Sequence, residues 1–141
     1  MRRWLSAKLG RPRFIDDLEQ TPRTMEARDL TPSERAILFR ILDGASFEGA
    51  SELRGQIPNT EVIGGIDTFF HLEVTRPAPI SGCEDGPIPV RAFVDGRKGE
   101  IEAEMLVWVK GGYLSGLEQA WMTDEAPAEM PAADRIRIDS S

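Results

Sequence analysis

The chain of 141 residues is long enough for one hydrophobic core and too short for two well-packed domains. Hydrophobic residues make up 40% of it and charged residues 29%, proportions typical of a globular protein and unlike those of a disordered or fibrous chain. The formal net charge of −7 disfavours binding to nucleic acids, and no apolar run approaches the roughly 18 residues of a membrane-spanning helix.

The charge is unevenly distributed along the chain. Residues 1–14 contain five basic and no acidic residues, whereas residues 15–29 contain five acidic and two basic residues. Residues 30–141 contain ten basic and nineteen acidic residues, a net charge of −9. We therefore divide the chain into an N-terminal tail, basic and then acidic (residues 1–29), and a single domain (residues 30–141) whose acidity favours a basic protein partner.

The tail has three interpretations. Its paired arginines are similar to those of a twin-arginine signal, but the apolar segment of a secretory signal does not follow. It is either a mobile tail, or a short amphipathic helix at a membrane surface with Trp4, Leu5 and Leu9 on one side, or a stretch upstream of an alternative start at Met25. In the third case residues 1–24 do not belong to the functional protein.

The first predicted element is a helix over about 32–43. Thr31 and Glu34 have the spacing of a capping box, with Pro32 at the first helical position. Gly44 ends the predicted helix. Between the cap and Gly44, apolar residues at helical spacing form one face: Ile37, Leu38, Ile41, Leu42. A second short helix is predicted around residues 49–56, ended by Pro58.

Alternating patterns after Pro58 predict a sheet. Segment 113–122 also fits helical spacing, but the glycine pair before it favours a hairpin strand. Two segments rich in proline or acidic residues, 77–89 and 123–134, are predicted to be loops. The predicted strands are 60–66, 68–75, 90–95, 100–110 and 113–122, with a short edge strand at 135–139. The prediction is an α+β fold with one or two N-terminal helices packed on an antiparallel sheet of four or five strands.

The only histidine provides the first candidate for chemistry. His71 and Glu73 project from the same face of a predicted strand, a spacing that supplies two metal ligands or a general base with an orienting carboxylate. A zinc site needs another strong ligand, and the chain has no second histidine and only one cysteine. No metal and no cofactor are therefore expected.

The remaining nucleophiles lack catalytic surroundings. Cys83 is followed by Glu84 and Asp85, whose negative charges disfavour the thiolate. As the only cysteine it forms no internal disulfide, which indicates a reducing, cytoplasmic location. Ser115 lacks the flanking glycines of a hydrolase nucleophile, and no glycine-rich phosphate loop is present. The sequence favours a non-enzymatic protein.

Three glutamates, which we call the acidic comb, alternate along one strand: Glu100, Glu102 and Glu104. Alternation places them on one sheet face, about 7 Å apart, with Asp95 nearby. They form either a solvated surface or a docking surface for a basic partner, in which Leu106 and Trp108 supply an apolar anchor. The predicted partner-binding residues are Asp95, Glu100, Glu102, Glu104, Leu106 and Trp108.

Three segments resemble a family of small bacterial proteins of unassigned function, over about residues 29–135. They are Leu-Thr-Pro-Ser-Glu-Arg-Ala-Ile-Leu, Phe-Glu-Gly-Ala-Ser-Glu-Leu-Arg-Gly-Gln and Gly-Tyr-Leu-Ser-Gly-Leu-Glu. The resemblance implies no activity and no site residues. In size, acidity and lack of a catalytic set, the chain is also similar to immunity proteins that neutralise toxin domains.

Three functional hypotheses follow. The leading one is a non-enzymatic cytoplasmic binding protein, an inhibitor or immunity protein that docks a basic partner such as a toxin domain through the acidic sheet face. The second is a small enzyme with a site around His71 and Glu73. The third is a structural homo-oligomeric subunit, such as a homodimer in which a second copy buries Leu106 and Trp108.

Overall fold

Helix α1, Pro32–Leu42, begins at the predicted capping box. The computed structural model describes residues 26–139. The Thr31 hydroxyl accepts a hydrogen bond from the Glu34 amide at 3.1 Å, and the Glu34 carboxylate accepts one from the Thr31 amide at 2.9 Å. These bonds satisfy amides that have no partner inside the helix. The predicted apolar face is buried: Ile37, Leu38, Ile41, Leu42.

The Glu34 carboxylate is also held by Arg28, which lies in the two-residue strand β1 (Arg28–Asp29). Both terminal nitrogens of Arg28 donate to this carboxylate, at 2.8 and 3.0 Å. Burial by itself would raise the pKa of Glu34, but the hydrogen bonds from Arg28 and Thr31 outweigh burial and hold the pKa below its ordinary value. The same contact ties the first strand to the first helix.

Helix α2, Ala50–Gln56, continues as a 3₁₀ turn, Ile57–Asn59. Gln56 is completely buried, and its side-chain amide forms three hydrogen bonds. The Nε2 group donates to the carbonyls of Pro79 at 2.7 Å and Gly112 at 2.9 Å, and Oε1 accepts from the amide of Leu114 at 2.9 Å. One side chain thus connects α2 to a loop and to a hairpin of the sheet.

Seven further strands follow in the chain: β2 Thr60–Ile66, β3 Phe69–Val74, β4 Gly86–Pro87, β5 Arg91–Asp95, β6 Ile101–Lys110, β7 Tyr113–Trp121 and β8 Ile136–Asp139. Their order in the sheet is β1-β2-β3-β7-β6-β5-β8, and β4 pairs with the end of β6. Every pair is antiparallel. A second 3₁₀ turn, Ala133–Arg135, leads into β8.

The predicted sheet of four or five strands is wrong, because the sheet has eight strands. Strands β1 and β4 have two residues each, which is too short to show alternation. Strand β1 precedes the expected domain start at residue 30, and β4 lies inside the segment predicted to be a loop. Pro87 is tolerated there because β4 extends only an edge of the sheet. The fold remains α+β in the broad sense, with two short α-helices within residues 26–139.

Strand β7 resolves the ambiguity of segment 113–122. The β6–β7 register shifts between Trp108 and Val109, so that Leu114 pairs with Val109 while Leu117 pairs with Val107. This bulge adds one residue to β7 and brings Leu114 and Leu117, three positions apart, to the same face of the sheet. The spacing that was compatible with a helix is therefore the spacing of a bulged strand.

The two faces of the sheet differ in what lies against them. Both helices pack on one face, where their apolar residues join those of the strands in a single core, and Met130 of the 123–132 loop packs there too. We call the other face, which carries the alternate residues of the strands, the open face. None of the helices within residues 26–139 is long and apolar enough to cross a bilayer. The interpretations of residues 1–24 concern a part of the chain outside the described residues.

The first prediction concerns Gln56. Replacing it with methionine keeps the side-chain volume but leaves two carbonyls and one amide without their partner, so we expect the free energy of unfolding to fall by about 3 kcal/mol. Asn59→Ala, which removes two hydrogen bonds that are exposed to solvent, should cost only about 0.5 kcal/mol. Equilibrium denaturation of both variants measures the difference, and equal losses would contradict the role assigned to Gln56.

The second prediction concerns pH. Because the pKa of Glu34 is lower in the folded than in the unfolded chain, its contribution to stability is present above the unfolded pKa and is lost as the pH falls through the folded pKa. The free energy of unfolding should therefore decrease below roughly pH 5, and decrease less steeply in Glu34→Gln. The exposed Glu48→Gln is the matched control. A Glu34→Gln profile parallel to that of the wild type would be inconsistent with this contact.

Candidate partner-binding face

Strand β6 supplies most of the predicted partner-binding residues. Glu102, Glu104, Leu106 and Trp108 alternate with four residues that are buried on the helix side: Ala103, Met105, Val107 and Val109. These four predicted residues therefore share the open face. Glu100 precedes β6, in the turn that follows β5, and its carboxylate accepts a hydrogen bond from the Lys98 amide at 3.0 Å.

The acids at this side of the open face are paired with arginines. Arg135 lies 3.2 Å from Glu102 and Arg91 lies 3.5 Å from Glu104. Arg137 holds Asp95 with two hydrogen bonds, of 2.6 and 3.0 Å.

The hydrogen bonds from Arg137 lower the pKa of Asp95. The charge of two comb acids and of Asp95 is therefore compensated within the chain. We call this part of the open face, over β5, β6 and β8, the arginine-paired half.

Phe93 lies among these arginines. The guanidinium groups of Arg91 and Arg137 stand over its ring, at 5.0 and 5.2 Å from the centroid. Such contacts combine apolar coverage by the side-chain stem with attraction between the cation and the ring. Phe93 is consequently buried although it projects from the open face, and the arginines are held in place by both the ring and the acids.

The middle of the open face holds a cluster that we call the aromatic centre: Phe69, Trp108 and Glu118. The two ring centroids are 6.3 Å apart, and the Trp108 indole donates to the Glu118 carboxylate at 3.1 Å. Gly116 makes room for this packing, because an added Cβ would lie 3.0 Å from the Phe69 ring. Trp108 is only 7% exposed, so its ring is part of the chain's own packing and does not project as an anchor.

The other half of the open face carries acids that lie directly opposite one another across three strands. Asp29 pairs with Glu61, and Glu61 pairs with Glu73. We call these three residues the acidic row. Arg76 forms an ion pair with the central member of the row, 3.9 Å from Glu61. The sequence gives no local signal for this cluster, because its members come from three strands and meet only through the register.

His71 lies next to the acidic row, between Glu73 and the aromatic centre. Its cross-strand neighbours are glycines, Gly64 on β2 and Gly116 on β7, which contribute no functional group. Within residues 26–139, no three His, Cys, Asp or Glu side chains are grouped so that they could hold a metal ion. The part of the chain that the structure describes thus places His71 and Glu73 on the open face without grouping them with a third metal-binding side chain.

A cleft of about 510 Å³ lies beside the start of β6, beneath the loop that follows β7. Its walls include Glu102, Gln119, Met130 and Arg135. Gln119 is buried, and its amide donates to the Glu129 carbonyl at 3.1 Å. The polar groups of this cleft therefore hold the loop in place, and Glu102 and Arg135 pair with each other.

Comparisons of the chain with protein-family models, with curated proteins and with solved structures found no match. The resemblance to a family of small bacterial proteins and the similarity to immunity proteins therefore stay predictions. Function is inferred from the geometry of the open face.

The surroundings of Cys83 generate the third prediction. Desolvation raises the pKa of this thiol, and the charges of Glu84 and Asp85 raise it further. Alkylation by iodoacetamide at mildly alkaline pH should be slower in the folded chain than in the urea-unfolded chain, and Glu84→Gln should react faster than the wild type when folded. Both rates can be followed by mass spectrometry. A folded thiol that reacts as fast as the unfolded one would contradict the raised pKa, and a faster reaction would identify an activated cysteine.

Proposed function

We propose that this chain is a non-enzymatic binding domain that docks a basic partner against the open face of its sheet, in the manner of an inhibitor or immunity protein that neutralises a toxin domain. The observation that carries the proposal is the acidic row. Asp29, Glu61 and Glu73 lie opposite one another on adjacent strands, which brings three carboxylates together on one part of the face.

The acidic row concentrates three carboxylates on one part of the face. Side chains directly opposite each other on antiparallel strands have Cβ atoms about 5 Å apart, and like charges at that distance repel each other by roughly 0.2–1 kcal/mol for each pair. A basic group of a partner placed over the row would be attracted by all three carboxylates.

Apolar contacts border the same half of the face. Ile66, the last residue of β2, lies opposite Phe69, the first residue of β3, and 65% of Ile66 is exposed. An apolar side chain of the partner could pack against Ile66 while lysines or arginines meet the acidic row. This pairing of an apolar contact with complementary charge is typical of protein-binding surfaces.

The acidic comb contributes differently to this proposal. The acids of the arginine-paired half already have intramolecular partners, so a basic protein gains less by approaching them. We infer that Glu102 and Glu104 lie at the rim of the docking surface and that the acidic row lies nearer its centre. The partner should accordingly be most positive where it meets β1, β2 and β3.

Homo-oligomerisation is less well supported by this geometry. Trp108 is buried within the single chain, so its burial does not require a second copy. A symmetric pair whose twofold axis passed near the acidic row would also bring two rows close together, which is unfavourable without a bridging cation.

The fourth prediction tests the docking surface with a display library of random peptides. The wild-type chain should enrich peptides that combine Lys or Arg with apolar residues, and higher salt should weaken their binding. Glu61→Lys/Glu73→Lys should lower the affinity of selected peptides about tenfold, since each reversed charge replaces an attraction by a repulsion of roughly 0.5–1 kcal/mol.

Two matched double variants carry the same change of charge. Glu102→Lys/Glu104→Lys should weaken binding less, and Asp43→Lys/Glu48→Lys, in the loop between the helices, should leave it nearly unchanged. Enrichment without any bias toward basic residues would reject the proposed function. Equal effects of all three double variants would reject the acidic row as its centre.

A further inference from the structure

The cleft beside the start of β6 has the dimensions and the lining of a small-molecule site. Its volume of about 510 Å³ falls within the range of pockets that enclose most of the surface of a small organic ligand. Such pockets combine apolar walls with a few polar groups that orient the ligand. The apolar and polar residues of this lining are Pro127, Met130, Pro131, Glu102, Gln119 and Arg135.

One buried acceptor in the wall of the cleft has no partner. Only 5% of Gln119 is exposed. Its Nε2 group donates to the Glu129 carbonyl at 3.1 Å and lies 4.0 Å from the sulfur of Met130, whereas no hydrogen bond to its Oε1 atom is formed within residues 26–139. This oxygen is not among the unpaired side-chain atoms that are fully enclosed in the described chain. Because Gln119 lines the cleft, Oε1 is an acceptor that a ligand in the cleft can reach.

The position of this acceptor is fixed by the chain around it. The backbone amide of Gln119 donates to the Thr68 carbonyl at 2.8 Å, and its side chain lies opposite the buried Met105 on the helix side of the sheet. The facing loop is restricted by Pro127 and by the buried Pro131. A ligand therefore meets a wall that is already ordered, which lowers the entropy cost of binding.

The charge of the loop decides which ligand the cleft favours. Among the lining residues that the structure describes, the one basic side chain is Arg135, and it is held by Glu102 at 3.2 Å and by the Asp95 carbonyl at 3.0 Å. A cleft with acids on one side concentrates cations. Residues 123–134 contain no basic residue and four acidic ones: Asp124, Glu125, Glu129 and Asp134.

We propose that the cleft binds a small organic ammonium ion, whose N–H group donates to Gln119 Oε1 and whose apolar body packs against Met130 and Pro131. The ammonium group supplies both the donor that Oε1 can accept and the positive charge that the acidic loop attracts. A carboxylate of the same shape would meet an acceptor and like charges, so the same groups select against it. This site lies apart from the acidic row and does not depend on the proposed docking function.

The test compares two probes that share a phenyl ring and a two-carbon linker but have opposite charges, phenethylamine and hydrocinnamate. Each is titrated into the isotope-labelled full chain, and backbone amide shifts are measured by NMR. Phenethylamine should shift the amides of Gln119, Ala128 and Glu129 saturably, with a dissociation constant on the order of 1 mM for a ligand of this size. Hydrocinnamate should leave them unchanged.

Two results of this titration would overturn the proposal. One is equal binding of both probes, or of neither, at the cleft amides, because the cleft would then not select an ammonium ion. The other is saturable shifting by phenethylamine at Glu61 and Glu73 in place of the cleft amides, which would identify the acidic row as the site of the cation.

Gln119→Lys separates the acceptor of this side chain from its donor. A lysine can still donate to the Glu129 carbonyl, but it has no acceptor and its charge repels an ammonium ion. The affinity for phenethylamine should fall at least about tenfold, and hydrocinnamate should now bind. Phenethylamine binding within about twofold of the wild type would contradict the role of Oε1.

A second variant alters only exposed side chains and keeps Gln119, so it applies even if a buried lysine unfolds the chain. Glu125→Gln/Glu129→Gln removes two charges from the loop and should weaken phenethylamine binding about threefold. Asp43→Asn/Glu48→Gln removes the same charge between the helices and should leave the affinity nearly unchanged. Equal weakening in both double variants, or none in either, would reject the loop as the element that attracts the cation.

A competition experiment separates this ligand from a side chain of the docking partner. Basic peptides selected on the open face should bind equally well with and without saturating phenethylamine, because the acidic row lies elsewhere. Displacement of phenethylamine by these peptides would assign the ammonium group to a side chain of the partner and overturn the separate site. If phenethylamine binds in the cleft but the library yields no basic peptides, the cleft stands and the proposed docking function falls.

Discussion

The arrangement of this molecule depends on the side-chain amide of Gln56. In a dry core an amide is tolerated only when its donors and its acceptor are satisfied, and here the partners come from two separate places, the Pro79 carbonyl and the β6–β7 hairpin at Gly112 and Leu114. Gly112 has a φ of +86°, and an added Cβ would lie 2.7 Å from the Ser81 carbonyl oxygen. These contacts therefore fix the positions of helix α2, of the loop that contains Pro79 and Ser81, and of the β6–β7 hairpin relative to one another. Because this connection holds helix α2 against one side of the sheet, it leaves the other side as the open face.

The parts that were predictable from sequence are those whose signal is local. The capping box of Thr31 and Glu34 contains both partners within four residues, and the alternation along β6 indicates which of its residues are buried. The two-residue strands β1 and β4 were missed because their pairing is set by Val62 and Glu61, or by Val109 and Trp108, far away in the chain. Gln56 likewise has the sequence context of an ordinary short helix, since its partners lie 23 to 58 residues away.

The distribution of charge on the surface was also not predictable from local sequence patterns. Along the sequence, Glu100, Glu102 and Glu104 form the most conspicuous acidic cluster, yet antiparallel pairing brings Arg91 and Arg135 beside two of them. Asp29, Glu61 and Glu73 are single acids in three separate segments, and the register places them in one row. The position of each acid relative to the arginines thus depends on strand order and bulges, which sequence patterns do not specify.

The acidic row combines a cost to the sheet with a means of recognition. Like charges that lie opposite each other lower the stability of a sheet, and the large apolar core on the helix side can offset that cost. In the proposed binding role, such a surface favours a partner with closely spaced cations and apolar side chains. A weakly basic protein gains less from the row than a strongly basic one, so the spacing of the carboxylates would contribute to selectivity as well as to affinity.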